Sequence, residues 1–223
     1  MIDLGDRIDL AVNRRVHAVA NSIREALVHF ARVEVIPAYT SILVRYDPAV
    51  LDYDTVADIV KMSGSADRLE AEAVRRFVLP VAYGGEFGPD LEDVARHHDL
   101  TPDEVIRRHA NRDYPIFCLG FSPGFPFLGE LDESLHTPRL ETPRPRVPRG
   151  SVAIGGGQTG VYPTPTPGGW RLIGRTPLVL FAIDRTPPVP YRPGDVLRFE
   201  PIDGVEYARL ERNGPVPEGE PVR

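Results

Sequence analysis

The sequence is short of several things: its 223 residues hold one cysteine, one tryptophan and one lysine. No apolar run approaches the roughly 18 residues that a membrane helix requires. A lone Cys118 excludes an internal disulfide and a cysteine-based zinc site, and it fits a reducing compartment. Lys61 is the only residue on which Schiff-base chemistry could rest, and because Val60 precedes it no P-loop can be built there. Basic charge is scarce as well. Lys and Arg number 26 against 32 Asp and Glu, a net charge of −6 that repels a phosphate backbone instead of steering it in. The opening MIDLGD has neither the basic nor the apolar region of a secretory leader. The expectation is a cytoplasmic protein that binds neither nucleic acid nor membrane, with chain enough for one large or two small domains.

Proline and glycine divide the chain. Residues 1–113 hold five of the 24 prolines and residues 114–202 hold sixteen, together with twelve of the 20 glycines. Proline cannot donate to a ladder or sit inside a helix, so the second stretch reads as short strands joined by turns, in the pattern of a β-barrel. The first reads as mixed α and β. Val12, Val16, Val19, Ile23 and Leu27 mark one face of a helix, and residues 33–36 and 42–46 two strands. Asp54 is expected to cap a short helix, and residues 77–83 to form a third strand in which Pro80 marks an edge or bulge. Residues 84–113 read as a helical connector, with Asp90 capping a helix through His97 and Thr101-Pro102-Asp103-Glu104 opening another. The domains expected are therefore 1–83, the connector 84–113, a barrel over 114–202 and a loose tail over 203–223.

Three stretches stand out chemically. GFSPGFPFLG (residues 120–129) sets Phe121, Phe125 and Phe127 among glycine and proline, as a hydrophobic plug for a barrel end or as a stiff docking surface. From His136 to Arg175 six arginines face one acidic residue, Glu141, reversing the sign of the chain. Arginine on proline-stiffened turns suits carboxylate or phosphate, although 25 of the 26 basic residues are arginine and charge runs commonly only solvate a loop. GGGQTG (residues 155–160) is followed by Pro163, Pro165 and Pro167, so no helix can present its N-terminus to a nucleotide there. The six histidines have no metal spacing and no GxSxG elbow is present. The residues alone lead to an anion-binding β-domain attached to a small α/β domain.

The blocks GFSPGFPFLGEL, TPRLETPRPRVPRGSVAIGGGQTGVYP and TPGGWRLIGRTPL, extended by PVAYGGEFGPDLEDVA and TPDEVIRRHA, resemble the carboxyltransferase-like family long labelled allophanate hydrolase subunit 1. That family includes the B component of the bacterial ATP-dependent 5-oxoprolinase and the kinase inhibitor KipI. The resemblance implies an α+β chain: an N-terminal ferredoxin-like α/β sandwich, then a C-terminal cyclophilin-like β-barrel. Relatives carry a further dozen residues with a first strand before a segment like GDRID, so that strand is expected to be missing or the start to be set late.

The resemblance further implies a component of a 5-oxoprolinase that converts 5-oxo-L-proline to L-glutamate, inactive alone. Its partners would be a homologous carboxyltransferase-like barrel protein (the C component) and a lactam-utilisation protein (the A component), with ATP used at the level of the complex. In that reading Arg139, Arg144 and Arg146 bind the substrate carboxylate or a transferred phosphate. Backbone amides of Gly155, Gly156 and Gly157, with Gln158, stabilise developing charge, and Tyr162 and Trp170 wall the site. No single catalytic residue is implied, and no metal. The alternatives are a KipI-like inhibitor docking on a sensor histidine kinase through Phe121, Phe125 and Phe127, and part of an allophanate or urea amidolyase-type enzyme.

Overall fold

The structure, a computed structural model, describes residues 1–64 and 74–222, and the chain divides into two compact units, Met1–Glu72 and Ala73–Arg223. The first holds β1 (Ile2–Asp3), α1 (Leu10–Leu27), β2 (Glu34–Pro37), β3 (Ser41–Arg45) and α2 (Tyr53–Gly64). The recurrence at three and four residues puts Val16, Val19, Ile23 and Leu27 on the buried face of α1. Asp9 starts that helix by accepting from the N–H groups of Ala11 and Val12 at 2.8 and 3.1 Å. The strands form an antiparallel sheet in the order β1-β3-β2, with Ile42, Val35 and Val44 facing the helices. Buried Asn13 donates to the carbonyls of Ala38 and Tyr39, each at 3.0 Å, and so ties α1 to the β2–β3 turn. β1 is two residues long, with Ile2 opposite Ile42 and Asp3 opposite Ser41. The cap of α2 is Asp52, which accepts from Thr55 N–H at 2.8 Å; Asp54, the expected cap, lies in the first turn.

The second unit holds β4 (Arg75–Tyr83), α3 (Leu91–His97), α4 (Pro102–Ala110), β5 (Asp113–Leu119), β6 (Pro126–Leu128), β7 (Arg144–Val147), β8 (Ser151–Gly155), β9 (Gln158–Val161), β10 (Thr166–Gly168), β11 (Arg171–Arg175), β12 (Val196–Ile202), α5 (Gly204–Asn213) and β13 (Gly219–Pro221). Seven of the described strands close a barrel in the order β4-β11-β8-β9-β6-β5-β12 and back to β4. Neighbours are antiparallel except β4 and β12, which run parallel from Arg76 opposite Val196 to Ala82 opposite Ile202. Alternate residues point inward: Phe77, Leu79 and Val81 on β4, Val152 and Ile154 on β8, Leu197 and Phe199 on β12. Register shifts at Ile116/Cys118 and Leu172/Gly174 supply bulges that bend the wall.

Three sequence expectations need correction. The strand at 75–83 belongs to the barrel and not to the first domain, because its ladder partners lie at 196–202. On its other flank β13 covers residues 75–77 and β11 covers 82–83, so Pro80 sits in the gap between them, a local edge as its missing N–H demands. The connector is not merely a bridge: Leu91, Val94, Ala95 and Val105 enter the barrel core. Leu178 and Leu180 also fill the core, from a loop and not from a strand. The tail is folded. Asp203 caps α5 by accepting from Glu206 N–H at 2.8 Å, Gly214 ends it with φ 53°, and β13 pairs with β4.

One polar chain lies inside the barrel unit. His109 is fully buried between Tyr83, whose hydroxyl lies 2.9 Å from Nδ1, and Thr159, whose Oγ1 lies 2.9 Å from Nε2. Thr159 donates to the Ala153 carbonyl at 3.0 Å. Its hydroxyl proton is thereby committed, so Nε2–H is the donor to Thr159 and Nδ1 accepts from Tyr83. The ring stacks on Phe199 at 4.6 Å, and burial lowers its pKa to about 3, so the imidazole is neutral.

Candidate functional site

The residues between the inward-pointing ones face out of the barrel. Along β6, β8 and β11 they are Phe127, Ala153 and Leu172, which with Phe125, Val147, Tyr162 and Trp170 make a second, smaller core. Phe125 is its hub, with ring centroids 5.2 Å from Tyr162 and 5.6 Å from Trp170, both edge-on. Glycine makes this packing possible. A Cβ on Gly155 would lie 2.6 Å from three atoms of the Trp170 ring, and one on Gly160 would lie 3.0 Å from Phe125 Cζ. The hairpin of β8 and β9 is therefore a flat platform for aromatic rings.

The aromatic loop splits into an anchor and an exposed tip. Phe125 is buried and Phe127 half-buried, so the loop plugs the side of the barrel, not its end. Phe121 is 64% exposed at φ 62°, a left-handed conformation that costs a side-chain-bearing residue about 1 kcal/mol. The backbone around it is pinned by Phe125 N–H to the Ser122 carbonyl at 3.0 Å and by the Tyr191 hydroxyl to the Gly124 carbonyl at 2.7 Å. Residues 119–124 line a shallow hollow of 440 Å³.

Beside the platform lies a polar cluster that sequence reasoning found only in part. Asp90, buried, accepts from Arg144 Nη2 at 2.7 Å and from Leu172 N–H at 2.7 Å, while its own N–H donates to the Leu172 carbonyl at 2.9 Å. The carboxylate expected to cap α3 is thus turned to β11 instead. Arg144 Nη1 is buried without a hydrogen-bond partner among the described residues, a condition that costs about 1–3 kcal/mol. In the β7–β10 ladder Arg144 pairs with Gly168, and a Cβ on Gly168 would lie 2.5 Å from the Tyr162 hydroxyl oxygen. Burial raises the Tyr162 pKa, while the Trp170 backbone, Arg139 and Arg144 pull it the other way. Arg139 stands over the Trp170 ring, 5.7 Å from its centroid.

Four of the expected site residues, Arg139, Arg144, Tyr162 and Trp170, therefore converge. The others do not join them in this way. Arg146 is exposed on β7. Gly155 is buried under Trp170, and the Gly156 N–H donates to the Thr137 carbonyl at 2.8 Å, so that amide is not available to an anion. Gly157 and Gln158 sit at the hairpin tip, where Gly157 packs on His136. This turn, followed by strand, does not fit a triphosphate. Asp90 was missed because Pro89-Asp90 reads locally as a helix cap. The usable signal was Gly88 before it, whose Cβ would fall 2.0 Å from the Ile173 carbonyl oxygen, so only glycine lets this loop lie on β11. Among the described residues no three His, Cys, Asp or Glu side chains converge to hold a metal ion, and no helix is long and apolar enough to cross a membrane.

A closed barrel carrying an arginine-rimmed aromatic face defines a class, and comparison with known proteins identifies it. The carboxyltransferase domain model, subdomain C and D, matches residues 1–191, and the chain belongs to that family. It is 45% identical over 218 residues to the B component of 5-oxoprolinase from Bacillus subtilis (strain 168), covering 93% of this chain and 90% of that protein. It is 44% identical over 204 residues to the corresponding 5-oxoprolinase component of Escherichia coli O157:H7, covering 90% and 91%. Among solved structures, TTHA0988 superposes with a TM-score of 0.81 at 36% identity over 91% of this chain, which spans 40% of that longer one.

Proposed function

We propose that the chain is the B component of an ATP-dependent 5-oxoprolinase, acting in the cytoplasm with a lactam-utilisation protein and a homologous barrel protein, and inactive alone. The observation that carries this reading is the 45% identity to the Bacillus subtilis protein across 93% of the chain. The finer fold assignment belongs to the same proposal: a cyclophilin-like barrel and a ferredoxin-like first unit, the latter supported by the order β1-β3-β2 with α1 between β1 and β2.

The chemistry is an uphill amide cleavage. Water adds across the ring C–N bond of 5-oxo-L-proline; the nitrogen leaves as the α-amine of L-glutamate and the carbonyl becomes its γ-carboxylate. ATP, split to ADP and phosphate, supplies the driving force, and because the glycine hairpin does not fit its phosphates it is held elsewhere in the complex. The contribution of this chain is to bind and orient. Arg139 and Arg144 attract the substrate carboxylate, Tyr162 and Trp170 wall the ring, and Arg146, Gly157 and Gln158 lie at the rim, where the homologous barrel protein completes the site. The exposed Phe121 faces that partner.

The test is ATP-dependent glutamate release from 5-oxoproline by the reconstituted complex, with and without this chain. Release should require all three components. Undiminished release from the other two alone would overturn the proposal.

A further inference from the structure

We propose that Arg144, locked in place by Asp90, is the residue that receives the carboxylate of a small cyclic amide acid, with the Tyr162 hydroxyl beside it. Asp90 is then a positioning residue that touches no substrate. The identity of the acid rests on the function proposed above; the subsite rests on geometry.

Arg144 has two ends in different states. Nη2 is held by Asp90 at 2.7 Å, and Nη1 is buried with its hydrogens unmatched among the described residues. A guanidinium gripped on one side and unanswered on the other is oriented toward an acceptor that the chain does not supply. Asp90 cannot swing away to answer it, because Leu172 N–H occupies its second oxygen and its own N–H is bound to the Leu172 carbonyl. Tyr162 and Arg144 meet across Gly168, the one residue type that lets the phenol approach that backbone.

Charge selects the ligand. Asp90 neutralises Arg144, so Arg139 above Trp170 leaves the cluster one positive charge. That matches a monoanion such as a carboxylate better than a phosphate, which carries roughly −1.5 to −2 in its singly esterified form at neutral pH.

Trp170 is the only tryptophan in the sequence and reports on this spot directly. Titrating the full chain with 5-oxoproline, with 2-pyrrolidinone (the same ring without the carboxylate) and with inorganic phosphate should give a saturable fluorescence change with 5-oxoproline. Pyrrolidinone should bind at least tenfold more weakly. Arg144→Lys should erase the difference. In the reconstituted complex Arg144→Lys and Asp90→Asn should each raise KM for 5-oxoproline about tenfold or more with kcat changed less than threefold. Arg144→Lys answers the question if Asp90→Asn does not fold. Phosphate saturating the signal while 5-oxoproline does not would overturn the carboxylate assignment. An active complex whose KM is unmoved by either variant refutes the subsite and leaves the function standing. An inactive complex, with 5-oxoproline still bound by the chain in an Arg144-dependent way, refutes the function and leaves the subsite standing.

Discussion

Replacing His109 by Gln should flatten the acid side of the stability curve of the barrel unit. The imidazole is fully buried, and burial lowers its pKa from an ordinary 6.5 to about 3. Between those values the unfolded chain takes up a proton that the folded chain refuses. Stability from this group is therefore complete above pH 6.5 and is lost progressively as pH falls toward 3. Each pH unit inside the window is worth about 1.4 kcal/mol, so going from pH 7 to pH 5 removes about 2 kcal/mol through His109 alone. Gln cannot titrate but can still donate to Thr159 and accept from Tyr83. It should lower stability at pH 7 by about 1–3 kcal/mol, through lost stacking on Phe199, and remove that 2 kcal/mol of pH dependence. Urea unfolding at pH 7, 6 and 5, followed by Trp170 fluorescence, measures both quantities in the unit that contains the residue. The other histidines contribute equally to parent and variant and cancel in the difference. Parent and variant curves of equal slope, or an NMR titration of His109 in the folded chain near pH 6, would falsify the reasoning.

Two further outcomes are expected. Gly155→Ala should destabilise the chain by about 1–3 kcal/mol and shift Trp170 emission, because its Cβ meets the indole at 2.6 Å, whereas Gly156→Ala meets nothing within 4 Å and should lose only about 1 kcal/mol for its φ of 65°; equal effects in urea unfolding would contradict the platform. Phe121→Gly relieves the left-handed strain and should leave the isolated chain within about 1 kcal/mol of its parent. On the function proposed above it should nevertheless weaken association with the proposed barrel partner about tenfold or more in a pull-down titration, and undiminished association would remove Phe121 from the proposed interface.

What the sequence made readable was what neighbours along the chain decide. The face of α1 and the Thr101 cap of α4 follow from spacing over a few residues, and both appear in the fold. The cap of α5 was equally local, in Asp203, Glu206 and Gly214, and went unread because the charged, proline-bearing context outweighed it. By contrast, alternation at 77–83 announces a strand but not its sheet, which is chosen by residues more than a hundred positions later. The site divides along the same line. Arg139, Arg144, Tyr162 and Trp170 were visible as residue types that bind anions and rings. That the Gly156 amide is occupied by Thr137, or that Asp90 leaves its helix for β11, depends on pairings between distant segments.

The parallel pairing of β4 with β12 also orders events during synthesis. Arg75 meets Asp195, 120 positions further on, so β4 leaves the ribosome long before the strand that completes its ladder exists. At 5–20 residues per second the wait is roughly 6–24 s. Throughout it a nine-residue strand with Phe77, Leu79 and Val81 lacks its longest ladder partner, while the first unit already holds all its own strands. The nascent chain is most vulnerable to aggregation in that interval, and a stop codon anywhere before residue 196 leaves the barrel permanently open.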